Sequence, residues 1–182
     1  GSRLDAWAIA AALDRSWTVG DLGCGTGTIS QTLAPWVHRV ISVDASAAMI
    51  QSARKRLKDA SNVEIRKGEL TTLPIDDDSL DLAMMGLVLP YLAEPQRVFR
   101  EAARASRLDG RLIVLDMLSH DRIEYREELG HIWLGFSKSQ ISEWLSAAGW
   151  MLDSFVTLPL EPDVKGTPVF VATAVRTRTV AG

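Results

Sequence analysis

The stretch "DLGCGTG", Asp21 to Gly27, sets Gly23, Gly25 and Gly27 at alternate positions directly behind the apolar run "WTVGDL". Glycine costs roughly 0.5–1 kcal/mol against alanine inside regular structure, so a cluster at a strand end predicts a backbone that something must approach closely. The spacing departs from the G-x-G-x-x-G of dinucleotide enzymes, because position 28 is Thr. An acid, Asp44, closes the next apolar run, "RVISVD". Cys24 sits inside the glycine loop as the single cysteine of the chain, which excludes a disulfide framework and a multi-cysteine metal site; no metal is expected. Its sulfur is expected to pack near a ligand, not to attack one.

These residues need a scaffold, and the chain alternates strand and helix patterns throughout. "TVGDL" reads as a strand, "TISQTLAPWV" as a helix, "RVISVD" as a strand and "SAAMIQSARKRLK" as a helix capped by Ser46, with Met49, Ala53 and Leu57 as its buried stripe. "VEIRK" and the buried "LDLAMMGLVL" are strands, "EPQRVFREAARAS" a helix with Pro95 in its first turn, and "GRLIVLDML" a fifth strand. "SKSQISEWLSAAG" carries a capping-box pair, Ser137 and Gln140, an apolar stripe of Ile141, Trp144, Leu145 and Ala148, and a stop at Gly149. "MLDSFVTL" and "PVFVATAV" close the chain, and the short "PLEPDVKGT" between them predicts antiparallel pairing at one sheet edge. The pattern predicts an α/β fold, a doubly wound, seven-stranded, mostly parallel sheet with an antiparallel edge strand. Its ligand belongs at the carboxyl ends of the strands, where the glycine loop lies.

With 182 residues, 47% of them hydrophobic, the chain can bury a full core. No apolar run approaches the roughly 18 residues that span a bilayer, so no membrane partner is expected, and one free cysteine suits a reducing cytoplasm. The net charge of −3 argues against a nucleic-acid surface on this domain alone. Arg54-Lys55-Arg56 reads as a solvated helix face.

Taken together, "DLGCGTG" and the acid of "VISVDAS" resemble motifs I and II of the class I S-adenosylmethionine-dependent methyltransferases, a Rossmann-like family, and the resemblance extends over nearly the whole chain. It implies S-adenosylmethionine as cofactor, bound along Asp21, Gly23, Cys24, Gly25, Gly27, Asp44 and Ala45. Asp44 would accept hydrogen bonds from the ribose hydroxyls; a helix N-cap is its alternative role. "KGELTTLP" resembles the family's "GDAxxLP" with Glu69 in place of Asp, and Leu70 would offer its backbone N–H to the adenine edge. Met49 would pack on the adenine face, or serve as plain core. Gly86, in "LDLAMMGLVLPYL", would hold the methionine amino group with its backbone, and Asp21 would orient the loop or touch that same group.

Methyl transfer from a sulfonium is an in-line displacement in which positioning and water exclusion do most of the work, so no fixed triad is required. The implied acceptor is a small molecule. "SHDRIEYREELGHIWLGFS" lies where this family builds its substrate cover: His120 or His131 would deprotonate an acceptor, Tyr125 belongs to the same aromatic set, and Tyr91 would line the pocket. Capping, packing or surface roles are the alternative for each. Arsenite is disfavoured as acceptor, since enzymes of that type use several cysteines. "HDRIEYREELGHIWLGFS" also resembles bacterial methyltransferase domains fused behind an ArsR-type winged-helix DNA-binding domain, and the sheet-side motifs resemble the ubiquinone and menaquinone biosynthesis methyltransferases.

Gly1-Ser2 reads as a scar of tag removal, and Leu4, Trp7, Ala8, Ala11 and Ala12 as one short helix. The expected division is 1–16 for that helix and scar and 17–182 for the methyltransferase domain, a trimmed C-terminal part of a longer chain. The alternative to an enzyme is a non-catalytic domain that senses S-adenosylmethionine or S-adenosylhomocysteine within a transcriptional regulator.

Overall fold

Five strand patterns of the sequence become the parallel part of one sheet. In the computed structural model, which describes residues 12–158 and 166–178, these are β1 (Thr18–Leu22), β2 (Arg39–Asp44), β3 (Val63–Lys67), β4 (Leu80–Gly86) and β5 (Ser106–Met117). Helices α1 (Thr28–Leu33), α2 (Ala47–Arg56) and α3 (Pro95–Ala105) intervene; α4 (Glu124–Glu128) and α5 (Lys138–Ala147) precede β6 (Trp150–Leu158) and β7 (Val169–Arg176). The sheet order is β3-β2-β1-β4-β5-β7-β6. β6 and β7 pair antiparallel as their short connection predicts, and β7 runs against both its neighbours, inserted between β5 and β6 at that end of the sheet.

The chain builds outward from β1 to β3 and then returns to lay β4 on the other side of β1. The loops after β1 and β4 therefore leave the sheet in opposite directions, and a crevice opens between them. Strand alternation divides the core: Leu22, Ile41, Val43 and Met85 pack under Phe99, Ile141 and Leu145 on one face, while Val19, Val40 and Leu82 pack under Leu33 on the other. Trp150, buried in the first of these clusters, donates its Nε1–H to the Phe99 carbonyl at 3.0 Å.

Several boundaries differ from the sequence pattern for local reasons. The helix expected over "TISQTLAPWV" stops at Leu33, and Pro35 sits in a following 3-10 turn, Ala34–Trp36. In α2 the Ser46 cap is as expected, accepting from the Met49 N–H at 3.4 Å, but the buried positions are Ile50, Ala53 and Leu57. Met49 is 41% exposed and faces the crevice. β5 begins four residues before the expected Gly110, and α4 arises inside "SHDRIEYREELGHIWLGFS". Ser137 caps α5 by accepting from the Gln140 N–H at 3.2 Å, and Gly149 ends it with φ 83°. Of the expected N-terminal stripe, Leu4, Trp7, Ala8 and Ala11 lie outside the described residues, and Ala12 is in a turn. No helix among the described residues is long and apolar enough to cross a membrane.

Candidate functional site

The loops after β1 and β4 interlock through their glycines. A Cβ on Gly23 would lie 2.5 Å from Val88 Cγ2, and one on Gly86 would lie 2.7 Å from Ile29 Cδ1. Gly23 thus seats a side chain of the loop after β4, and Gly86 one from the first turn of α1. Gly25 differs: its φ is +53°, yet nothing lies within 4 Å of where its Cβ would be. That open space belongs to a cleft of about 610 Å³ at the carboxyl ends of β1, β2 and β4.

Nine of the expected cofactor residues line this cleft: Gly23, Cys24, Gly25, Asp44, Ala45, Met49, Glu69, Leu70 and Gly86. Two do not. Gly27 caps α1 with φ 82°, and a Cβ there would meet Leu57 at 2.7 Å, so it serves helix packing. Asp21 is buried below the loop, where its Oδ2 accepts from the Ser30 N–H at 3.0 Å and the Ser30 hydroxyl at 2.5 Å. Ser30 in turn shares a hydrogen bond with Ser42 at 2.7 Å, so β1, β2 and α1 are tied together beneath the glycines. The other oxygen, Asp21 Oδ1, is buried without a partner.

Asp44 holds the opposite wall. Its Oδ2 accepts from the Gly25 N–H at 2.9 Å and its Oδ1 from the Ser46 N–H at 2.8 Å, which leaves lone pairs on both oxygens. Ser46, and not Asp44, is the N-cap of α2. From the far side Arg56 donates to the Thr26 carbonyl at 2.9 Å, so one member of the basic run braces the loop.

Burial sets the ionisation here. The Cys24 thiol is pushed up to about 12 by desolvation and by the charges of Asp21 and Asp44, so it is a neutral packing group at physiological pH. Asp21 is pushed up to about 6 by desolvation, against the pull of its Ser30 hydrogen bonds. Asp116, at the end of β5, is likewise raised to about 6 by burial; its Oδ2 accepts from the Leu89 N–H at 3.1 Å and its Oδ1 from the Met117 N–H at 2.8 Å. A carboxyl whose pKa is higher folded than unfolded binds its proton more tightly in the folded state. Its stabilising contribution is complete below the unfolded value near 3.8 and is lost as pH rises through about 6. The two buried carboxyls therefore lower stability to urea as pH rises from about 4 to 7, opposite in sign to the lowered His120 and His131, and the native protein is expected to lose more stability, or gain less, over that range than the Asp21→Asn variant. An unchanged slope in that variant would contradict the burial of an ionisable Asp21.

Asp116 was missed by motif reading, although an acid ending "RLIVLD" repeats the pattern of Asp44 ending "RVISVD". It matters because it braces the loop that carries Leu87, Val88 and Tyr91. Leu87 holds φ +54°, an uncommon conformation for a residue with a side chain, and its N–H donates to the Leu115 carbonyl at 2.8 Å. Thr28, Ile29, Ser46, Leu87, Val88 and Leu92 also line the cleft and were not expected there.

Of the four acceptor-side candidates, His120, Tyr125, His131 and Tyr91, only Tyr91 lines the cleft, as expected of it, half-exposed at 49%. The others stand behind it in a chain of rings. Tyr91 meets His131 edge-on at 4.8 Å, His131 meets Tyr125 at 5.7 Å, and Tyr125 meets His120 at 5.2 Å. The segment is locked to the β4 loop because the Ile132 and Trp133 N–H groups both donate to the Pro90 carbonyl, at 2.7 and 3.2 Å, and Trp133 Nε1–H donates to the Leu92 carbonyl at 2.8 Å.

Comparison with known proteins bears on this site. Residues 20–114, just over half of the chain, match the Methyltransferase domain family. The chain is 42% identical over 97 residues to an uncharacterised 37.1 kDa protein of a Streptomyces fradiae transposon, a stretch covering 52% of this chain and 28% of that one. It is 38% identical over 114 residues to an arsenite methyltransferase of Halobacterium salinarum, covering 59% of this chain and 29% of the relative. The chain thus spans under a third of the length of either curated relative. The crystal structure of Bacillus subtilis YcgJ superposes with a TM-score of 0.81 at 16% identity, covering 98% of this chain and 100% of that one. The likeness to YcgJ is one of fold.

Proposed function

The chain belongs to the methyltransferase-domain family, and from that premise we propose that it transfers the methyl group of S-adenosylmethionine to a small-molecule acceptor. The observation that carries the proposal is the cleft itself, in which the open backbone at Gly25 faces the carboxylate of Asp44. The residues present suit this cofactor: the cleft wall holds the acids Asp44 and Glu69 and, among the described residues, no Lys, Arg or His. A pyrophosphate would call for the opposite charge, whereas a sulfonium cation suits this one.

In this assignment Asp44 accepts from the ribose hydroxyls with the lone pairs its backbone partners leave free. Met49 covers the adenine face, the Leu70 backbone meets the adenine edge, and the Gly86 backbone meets the methionine amino group. Asp21 acts from below by fixing Ser30 and hence the start of α1. When bound, the cofactor supplies an electrophilic methyl group. The chain's part is to hold two reactants in line and keep water out, an effect worth about 7–11 kcal/mol in well-oriented systems. A soft metalloid is disfavoured as acceptor, because the one cysteine of this chain has a thiol that is held protonated.

A narrower placement, in a longer chain whose other part is an ArsR-type winged helix, is supported only by "HDRIEYREELGHIWLGFS"; the native reading frame tests it. A reducing cytoplasm is the proposed compartment, in keeping with a buried free thiol.

Calorimetry with S-adenosylmethionine and S-adenosylhomocysteine, followed by labelled methyl transfer into a metabolite extract, tests the function. Binding of both and label in a low-mass product are expected. A folded protein that binds neither would overturn the assignment, and binding without transfer would leave the sensing domain.

A further inference from the structure

Consecutive backbone N–H groups after β4 are drawn onto the end of β5. The Leu87 N–H donates to the Leu115 carbonyl at 2.8 Å, the Val88 N–H to the Asp116 carboxylate, and the Leu89 N–H to Asp116 Oδ2 at 3.1 Å. In a trans peptide the carbonyl lies opposite the N–H, and the described residues contain no cis bond. The Gly86 and Leu87 carbonyls therefore point away from β5. Because β4 stands between β5 and β1, they turn toward the β1 loop and the cleft that Gly86 and Leu87 line. Leu87 holds φ +54° within this turn.

Asp116 is the side chain that keeps the arrangement. It is fully buried, and burial and backbone N–H groups set its ionisation, with no charged side chain among the described residues contributing. Its other oxygen is engaged as well, since Oδ1 accepts from the Met117 N–H at 2.8 Å. A carboxylate offers acceptors on both oxygens, whereas the amide of Asn would set its NH2 against an N–H on one side or the other. Both sides are needed here. Tyr91 is the titratable side chain of the loop packed on Asp116, His131 meets Tyr91, and the register partner of Asp116 on β7 is Phe170.

We propose that Asp116 is a positioning residue for the amino-acid end of the cofactor: its carboxylate turns the Gly86 and Leu87 carbonyls into the cleft as acceptors for the ammonium group. The proposal rests on the methyltransferase assignment and deepens it. In that assignment the adenosine end is held by Asp44, Met49 and Leu70, none of which shares a hydrogen bond with Asp116. Replacing Asp116 therefore weakens a ligand that carries an amino acid and spares one that does not.

Calorimetry with two probes tests this: S-adenosylhomocysteine, and 5′-methylthioadenosine, which keeps the adenosine and the sulfur but has no amino acid. Asp116→Asn is expected to weaken S-adenosylhomocysteine about tenfold or more and to leave methylthioadenosine within about twofold. A merely structural loss would weaken both alike. The native protein gives a second reading that needs no substitution. Its Leu89 and Met117 amide resonances report the ionisation of Asp116, with a midpoint of about 6, and a ligand that prefers the ionised carboxylate lowers that midpoint. S-adenosylhomocysteine is expected to lower it by about half a pH unit or more, and methylthioadenosine to leave it in place. Parallel loss of both probes in Asp116→Asn, unchanged S-adenosylhomocysteine binding in that variant, or a midpoint that S-adenosylhomocysteine does not move would each overturn the positioning role. A native protein that binds neither probe would overturn the cofactor assignment, and this role with it.

Discussion

Replacing Asp44 with alanine is expected to weaken S-adenosylhomocysteine binding on the order of 100-fold or more. A hydrogen bond to a charged group is worth about 1.5–3 kcal/mol, and every 1.4 kcal/mol is about tenfold in affinity, so losing a bidentate pair to the ribose reaches that size. Asp44 has a second duty, however, because its two oxygens hold the Gly25 and Ser46 N–H groups. Alanine frees both. Asparagine keeps one carbonyl oxygen for the loop, and the Asp44→Asn protein is expected to lose on the order of tenfold. The ratio of the two variants separates ribose recognition from loop bracing. Calorimetry on folded proteins checks both values, and an unchanged dissociation constant in Asp44→Ala would end the ribose assignment.

The parts of this site that could be read from sequence are those carried by contiguous backbone. β1 and β2 run over the same residues as their apolar patterns, Thr18–Leu22 and Arg39–Asp44, because strands covered on both faces leave little choice of register. The glycine loop and Asp44 follow at fixed offsets from them, so their meeting was legible as well. Met49 was harder. An apolar stripe ending in Ala53 and Leu57 can begin at Met49, four residues before Ala53, or at Ile50, three before it, and the rotation of α2 is settled by contacts with β2 and β3 that no local pattern carries. The ring cluster behind Tyr91 was legible only as a set of residue types. That Tyr91 touches His131, forty positions away, depends on the Pro90 carbonyl capturing the Ile132 and Trp133 N–H groups. Asp116 was overlooked for a related reason: its importance lies in the Leu89 N–H it receives from another strand's loop.

Gly23 and Gly25 pose the same sequence question and are expected to give opposite answers. Both have positive φ, +82° and +53°, so alanine at either position carries a comparable backbone penalty of about 1–2 kcal/mol. Their surroundings differ. An alanine methyl at position 23 would sit 2.5 Å from Val88 Cγ2 and 2.9 Å from Val88 Cβ, so the β4 loop must move, at an overpacking cost of about 1–3 kcal/mol more. At position 25 the methyl meets nothing in the protein and enters the cleft. The backbone there cannot easily retreat, because the Gly25 N–H is held by Asp44. Gly23→Ala is therefore expected to lower the urea midpoint markedly. Gly25→Ala should fold with a much smaller loss of stability and yet bind S-adenosylhomocysteine at least tenfold more weakly, and Gly25→Val more weakly still. Urea unfolding and calorimetry on the same preparations make the comparison. If the two alanine variants lost stability equally, or if Gly25→Ala bound normally, the open backbone at Gly25 would serve the turn and not a ligand.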